Sequence, residues 1–125
     1  MSSVEARDQA LEALYEADVR QDKPNTDGLR VLAVAMVEGV WGERDDLDSV
    51  IGDAATGWRV RRMPPVDRNI LRLAVWELRH RDRTPVPVVI SEAVRLAKTY
   101  STERSGGFIN GVLGGLVATE REPAG

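Results

Sequence analysis

The segment Pro64-Pro65-Val66-Asp67-Arg68-Asn69-Ile70-Leu71-Arg72-Leu73-Ala74-Val75-Trp76-Glu77-Leu78-Arg79-His80 carries apolar side chains around more than one face of a helix. Its paired prolines end the preceding segment and open a new helix. Proline lacks a backbone N–H, and its φ is already set for a first helical turn. Val66, Ile70, Leu71, Leu73, Ala74, Val75, Trp76 and Leu78 then cover more surface than a single amphipathic stripe needs. That excess predicts a helix packed on several sides, the centre of a bundle.

Helical periodicity continues in both directions, and almost nothing alternates with period two. Upstream, Ala6, Ala10, Leu14 and Ala17, with Leu11 and Ala13 beside them, predict a first helix over 3–20 that stops before the turn cluster Lys23-Pro24-Asn25. Asp27 is expected to cap a second helix carrying Leu29, Leu32, Val34, Met36, Val37 and Val40. Gly42 and the acidic run 43–48 are expected to interrupt it, and a shorter third helix with Leu47, Val50 and Ile51 extends to about Thr56. Downstream of the central helix, 81–86 reads as a polar connector. Pro87 then suits the first turn of a helix that turns Ile90, Ala93, Val94, Ala97 and Tyr100 inward. Ser105 is expected to cap the last helix, with Phe108, Ile109, Val112, Leu113, Leu116 and Val117 inward. Gly111, Gly114 and Gly115 suggest close helix approach, or in the last case a fraying end. The expected fold is all-α, a compact bundle of about six helices in one domain over 1–119, with a frayed tail at 120–125.

Net charge is −3, but residues 1–58 carry 13 Asp+Glu against 5 Lys+Arg, and residues 59–83 carry 8 Lys+Arg against 3 Asp+Glu. An acidic front half and a basic middle describe a polarised surface that suits charged partners, or simply solvated helix faces. No apolar run is long enough to span a membrane, and the N-terminus has neither the basic nor the apolar part of a secretory signal. With no cysteine, disulfides, thiol catalysis and thiolate zinc sites are excluded, and a cytoplasmic location is expected. His80 is the only histidine and reads as a helix-end cation. Asp45, Asp46, Asp48 and Asp53 lack the glycine and terminal glutamate of a calcium loop, and Lys98-Thr99 has no glycine-rich run before it. Neither catalysis nor a cofactor is expected.

Four blocks point to a family. They are Ala6-Arg7 through Ala10-Leu11 with Ala13-Leu14-Tyr15; Trp58 with 63–68 and 70–78; 85–94 with Leu96-Ala97-Lys98; and Ser105 with Phe108-Ile109-Asn110-Gly111-Val112-Leu113. In this order, and spanning nearly the whole chain, they resemble the NusB transcription antitermination family. The resemblance implies two packed helical sub-bundles and no enzymatic activity. It implies binding of boxA-type single-stranded RNA together with the ribosomal protein NusE, within the RNA polymerase elongation complex of rRNA operons. Carried over residue by residue, it assigns RNA contact to Arg7, Tyr15, Arg104, Ser105 and Phe108, and partner contact to Asp67 and Arg68. Each also has a plainer reading. Tyr15 fits a core-edge aromatic, Phe108 a buried one, and Asp67 a helix-dipole cap.

The chain departs from the family pattern in two places. Where relatives carry several arginines ahead of the one at Arg7, this chain has Ser2, Ser3, Val4 and Glu5, and its first helix displays Asp8, Glu12, Glu16 and Asp18. Fewer phosphate contacts lower RNA affinity and flatten its salt dependence. Arg104, or Arg59, Arg61 and Arg62 on another face, could supply replacement cations. The short connector 21–28 also leaves out a helix usual in the family, which should expose apolar surface that a homodimer could cover. The alternative function is therefore a NusB-like paralogue that keeps its protein partner and binds RNA weakly or not at all. A third class, an accessory domain of an RNA cytosine methyltransferase, would need a catalytic domain for which 125 residues leave no room.

Overall fold

The computed structural model describes residues 3–121, which form five α-helices and one 3-10 turn, with no strand among the described residues. The helices are α1 (Ser3–Arg20), α2 (Val31–Ala54), α3 (Pro65–His80), α4 (Val86–Tyr100) and α5 (Glu103–Glu120), and the 3-10 turn is Val60–Arg62. Helix α3 packs against all four others. It is shared by an α1–α2–α3 group and an α3–α4–α5 group, and its residues from Ile70 to Leu78 are all buried.

The bundle has five helices rather than about six because the second and third expected helices are one. Met36, Val37, Val40, Leu47 and Ile51 keep a single 3.6-period stripe in the core through Gly42 and the acidic run. The acids do not break the helix because they face cations on α3. Asp48 pairs with Arg72, Asp46 with Arg79, and Glu43 with Arg79 and His80.

Two expected caps also differ. Asp27 donates its N–H to Asn25 Oδ1 in a turn closed by Gly28 at φ +77°, so the helix starts only after Arg30, whose N–H donates to Gln9 Oε1 on α1 (2.9 Å). At α5 the cap is Thr102, whose Oγ1 accepts from the Ser105 N–H, and Ser105 lies inside the first turn. Tyr100, expected inward, is exposed, and Val89 and Leu96 fill the α4 core face. Of the tail, 122–125 lies outside the described residues, but Glu120 and Arg121 are anchored. Glu120 pairs with Arg79, and Arg121 donates to the carbonyls of Glu77, Leu78, Arg81 and Thr84 at the C-terminal end of α3. On either side of the short connector, Val19 and Val31 are exposed, Val31 at 88%.

The close-approach glycine is Gly39, not the α5 glycines. A Cβ at Gly39 would lie 2.2–2.6 Å from the Trp76 indole, whereas one at Gly111, Gly114 or Gly115 would meet nothing. Alanine in a helix interior gains about 1 kcal/mol over glycine. Gly42→Ala, in open space, is therefore expected to raise the stability measured by urea denaturation by about 0.5–1 kcal/mol. Gly39→Ala is expected to lower it by about 1–3 kcal/mol because the indole must move. An unchanged or higher midpoint for Gly39→Ala would show that the α2–α3 approach is looser than described.

Candidate nucleic-acid interface

Four polar residues are buried in α3, Asp67, Asn69, Arg72 and Glu77, and each has at least one hydrogen-bond partner. At the end of α1, Asp18 Oδ2 accepts from Arg68 Nε (2.8 Å), Asn69 Nδ2 (2.8 Å) and Arg72 Nη1 (3.4 Å). Arg72 also grips Asp48 of α2 with two bonds of 2.6 and 2.7 Å. Arg68 Nη1 donates to the carbonyls of Val60 and Met63, which ties the 3-10 turn to the same knot. Burial alone would push the Asp18 carboxyl up. Hydrogen bonds from Arg68 and Asn69 and the charges of Arg68 and Arg72 outweigh it and hold Asp18 below the usual carboxylate range.

A group with a depressed folded pKa stabilises the fold above its unfolded pKa of about 3.9, and loses that contribution as pH falls through the lower folded value. Asp18→Asn is thus expected to cost about 3 kcal/mol at pH 7, as for removal of one partner from a buried pair. Denaturant melts across pH should show the gap to wild type closing below about pH 4. A gap independent of pH would mean that Asp18 is not held as the anion.

The knot positions a concavity of about 260 Å³ lined by Trp58, Met63, Pro64, Asp67, Arg104, Ser105 and Phe108. Trp58 is 54% exposed, Phe108 is half-buried, and their rings lie 5.5 Å apart at 60°. Arg104 stands exposed on the rim, with no ion pair or hydrogen bond to its side chain. Ser105 is buried, and its hydroxyl donates to Asp67 Oδ2 (2.9 Å), joining the start of α5 to the start of α3. The other oxygen, Asp67 Oδ1, is buried without a hydrogen-bond partner.

Four of the seven residues singled out from the sequence therefore meet in one pocket: Asp67, Arg104, Ser105 and Phe108. The other three lie elsewhere. Arg7 is 3% exposed and makes two 2.8 Å bonds to Glu77, itself 2% exposed, with Glu92 at 3.4 Å. Burial lowers the Arg7 pKa, but the hydrogen bonds and charge of Glu77 raise it further, so the guanidinium is held charged inside the bundle and has no face for a phosphate. Tyr15 is exposed on the outer face of α1 with Glu12 and Glu16 beside it, an anionic setting. Arg68 is engaged by Asp18 and the turn carbonyls, and Asp67 is 4% exposed, so neither presents an open surface to a protein partner. Trp58 is the binding candidate missed at the sequence level. Its signal was an aromatic directly ahead of an arginine-rich turn. A broader groove of about 930 Å³ between α4 and α5, with Ile90, Val94, Lys98 and Asn110, holds none of the seven. Among the described residues no group of three or more His, Cys, Asp or Glu is placed to hold a metal, and no helix is long and apolar enough to cross a membrane.

The family model for the NusB family matches residues 4–118. This chain belongs to the NusB family. It is 38% identical to the "Transcription antitermination protein NusB" of Symbiobacterium thermophilum over an alignment of 145 positions, which takes in 100% of this chain and 95% of the relative. Among solved structures, "T. maritima NusB" superposes with a TM-score of 0.88 at 28% identity, covering 98% of this chain and 94% of that one. NusB in a crystal structure of "Antitermination Factors NusB and NusE in complex with dsRNA" superposes at 0.80 and 28%, covering 94% and 98%. The NusB family profile thus extends over both sub-bundles and the pocket between the starts of α3 and α5.

Removing Arg7 leaves Glu77 buried with only Arg81, 3.0 Å away, as a cationic partner. Arg7→Ala is therefore expected to lower stability by about 3 kcal/mol. It should leave RNA affinity unchanged at temperatures where the variant is folded, as read by circular dichroism and fluorescence anisotropy. A variant of native stability with weakened RNA binding would put Arg7 at the RNA after all.

Proposed function

We propose that this chain is a transcription antitermination factor. In this reading it binds boxA-type single-stranded RNA together with the ribosomal protein NusE, and so joins the RNA polymerase elongation complex of rRNA operons in the cytoplasm. The relatives named as antitermination proteins support it, and the solved assembly of NusB and NusE in complex with dsRNA supports its pairing with NusE and RNA. The observation that carries the RNA part is the Trp58–Phe108 ring pair, with Trp58 exposed and Phe108 half-buried, beside the exposed Arg104. Bases splayed from a single strand stack on aromatic rings, and cationic side chains neutralise the adjoining phosphates.

A second reading, a paralogue that keeps NusE and has lost RNA affinity, draws on the enclosed Arg7 and the acidic outer face of α1. Titration of a fluorescent boxA-type RNA, with and without NusE, separates the two. Stacking contributes about 1–3 kcal/mol per base, so Trp58→Ala and Phe108→Ala should each weaken binding by about 5- to 150-fold while NusE binding persists. NusE binding without any RNA binding, in either condition, would establish the second reading instead.

A further inference from the structure

Most arginines of this protein are already spent. Arg7, Arg20, Arg30, Arg68, Arg72, Arg79, Arg81 and Arg95 have carboxylate partners. Arg121 is bound by four carbonyls, and Arg44 by the Trp41 carbonyl and ring. Among the described residues, Arg59, Arg61, Arg62, Arg83 and Arg104 have no hydrogen bond or ion pair to their side chains. Four of these five flank the aromatic pocket. Arg104 is on its rim, and Arg59, Arg61 and Arg62 lie between the lining residues Trp58 and Met63. All four are exposed.

The turn is fixed rather than loose. Arg62 N–H donates to the Arg59 carbonyl (2.9 Å), Met63 N–H to the Val60 carbonyl (3.1 Å), and Arg68 holds the Val60 and Met63 carbonyls from below. The Val60 and Met63 carbonyls are thereby taken up by Arg68, while Arg59, Arg61 and Arg62 are exposed. Arg61 also lines a second concavity of about 390 Å³ whose walls are of mixed charge, with Arg44, Arg68 and Arg72 beside Asp18, Asp45 and Asp48. An anionic strand entering the pocket has no comparable path along α1, whose outer face carries Glu12 and Glu16.

We propose that the 59–62 turn is the phosphate track of the RNA-binding surface: a single strand stacked on Trp58 and Phe108 runs across Arg59, Arg61 and Arg62. The inference rests on the RNA-binding reading above and adds a direction and a set of phosphate contacts to it. It places the basic surface of this chain on the turn before α3 instead of on the N-terminal segment. Arg68 acts as a positioning residue, since it holds the turn without touching the strand.

The test is a salt titration of a short fluorescein-labelled single-stranded RNA with the full chain. Each phosphate neutralised on a single strand contributes about −0.7 to the slope of log K against log salt. Four contacts, with Arg104, give a slope of about −3, or roughly 50-fold weaker binding between 50 and 200 mM salt. The triple variant Arg59→Gln, Arg61→Gln, Arg62→Gln should keep its melting temperature, bind more weakly, and show a slope of about −1, roughly 3-fold over the same range. A control removing three exposed cations elsewhere, Lys23→Gln, Arg83→Gln and Lys98→Gln, should retain the wild-type slope. If the triple variant keeps wild-type affinity and slope while Phe108→Ala weakens binding, the track is overturned and the RNA-binding reading stands. If the control loses as much slope as the triple variant, the effect is bulk charge and the track is likewise overturned. If wild-type protein binds no RNA, or Phe108→Ala has no effect, the RNA-binding reading itself fails and the track falls with it.

Discussion

The buried carboxylate of Asp18 is the constraint on which the arrangement depends. An anion taken out of water at the end of α1 must be neutralised and hydrogen-bonded, or the helix cannot sit there. Arg68, Asn69 and Arg72, one face of α3, do both. Because Arg72 also holds Asp48 and Arg68 also holds two carbonyls of the 3-10 turn, one charge sets α1, α2, α3 and the turn in a single register. The aromatic pocket inherits its shape from that register. Trp58 precedes the turn, Met63 and Pro64 come directly after it, and Asp67 lies one residue before Arg68.

The apolar core supplies the attraction, and the polar pairs restrict how it can be realised. A bundle built from Leu, Ile, Val and Ala alone tolerates many rotations of one helix against another. Here a rotation of α3 would strand Glu77, Arg72 or Asp67, each at most 8% exposed, and would drive Trp76 off the only space Gly39 leaves for it. Buried pairs add little net stability against apolar replacements, but breaking one costs several kcal/mol. They act chiefly by excluding alternatives.

The all-helical class and the central helix were legible because apolar periodicity is a local signal. The excess of buried side chains from Ile70 to Leu78 needs no partner to be recognised. Joining of the second and third expected helices was not legible. Gly42 and the acids after it are poor local signals for a helix, and the cations that rescue them lie on α3, 24 to 37 residues away along the chain. Arg7 misled for a related reason. Resemblance placed it at the RNA, and the partner that encloses it, Glu77, is 70 positions distant. Phe108, Ser105 and Arg104 were found because they form one block at the start of α5, whereas Trp58, which completes the ring pair, comes from a different segment.

The surface that results is asymmetric. Acidic side chains of α1 and α2 are consumed by α3 and α4 or left facing water, and four of the five unpaired guanidinium groups among the described residues belong to the turn segment and the start of α5. That asymmetry turns a chain of net charge −3 into one with a defined cationic and aromatic face. Ultraviolet crosslinking of a 4-thiouridine-substituted single-stranded RNA to the full chain, with mass spectrometry of the adducts, tests this most directly. The account predicts adducts at Trp58 and Phe108 and in the peptide spanning the 59–62 turn. Adducts concentrated at Tyr15 and along α1 would contradict it.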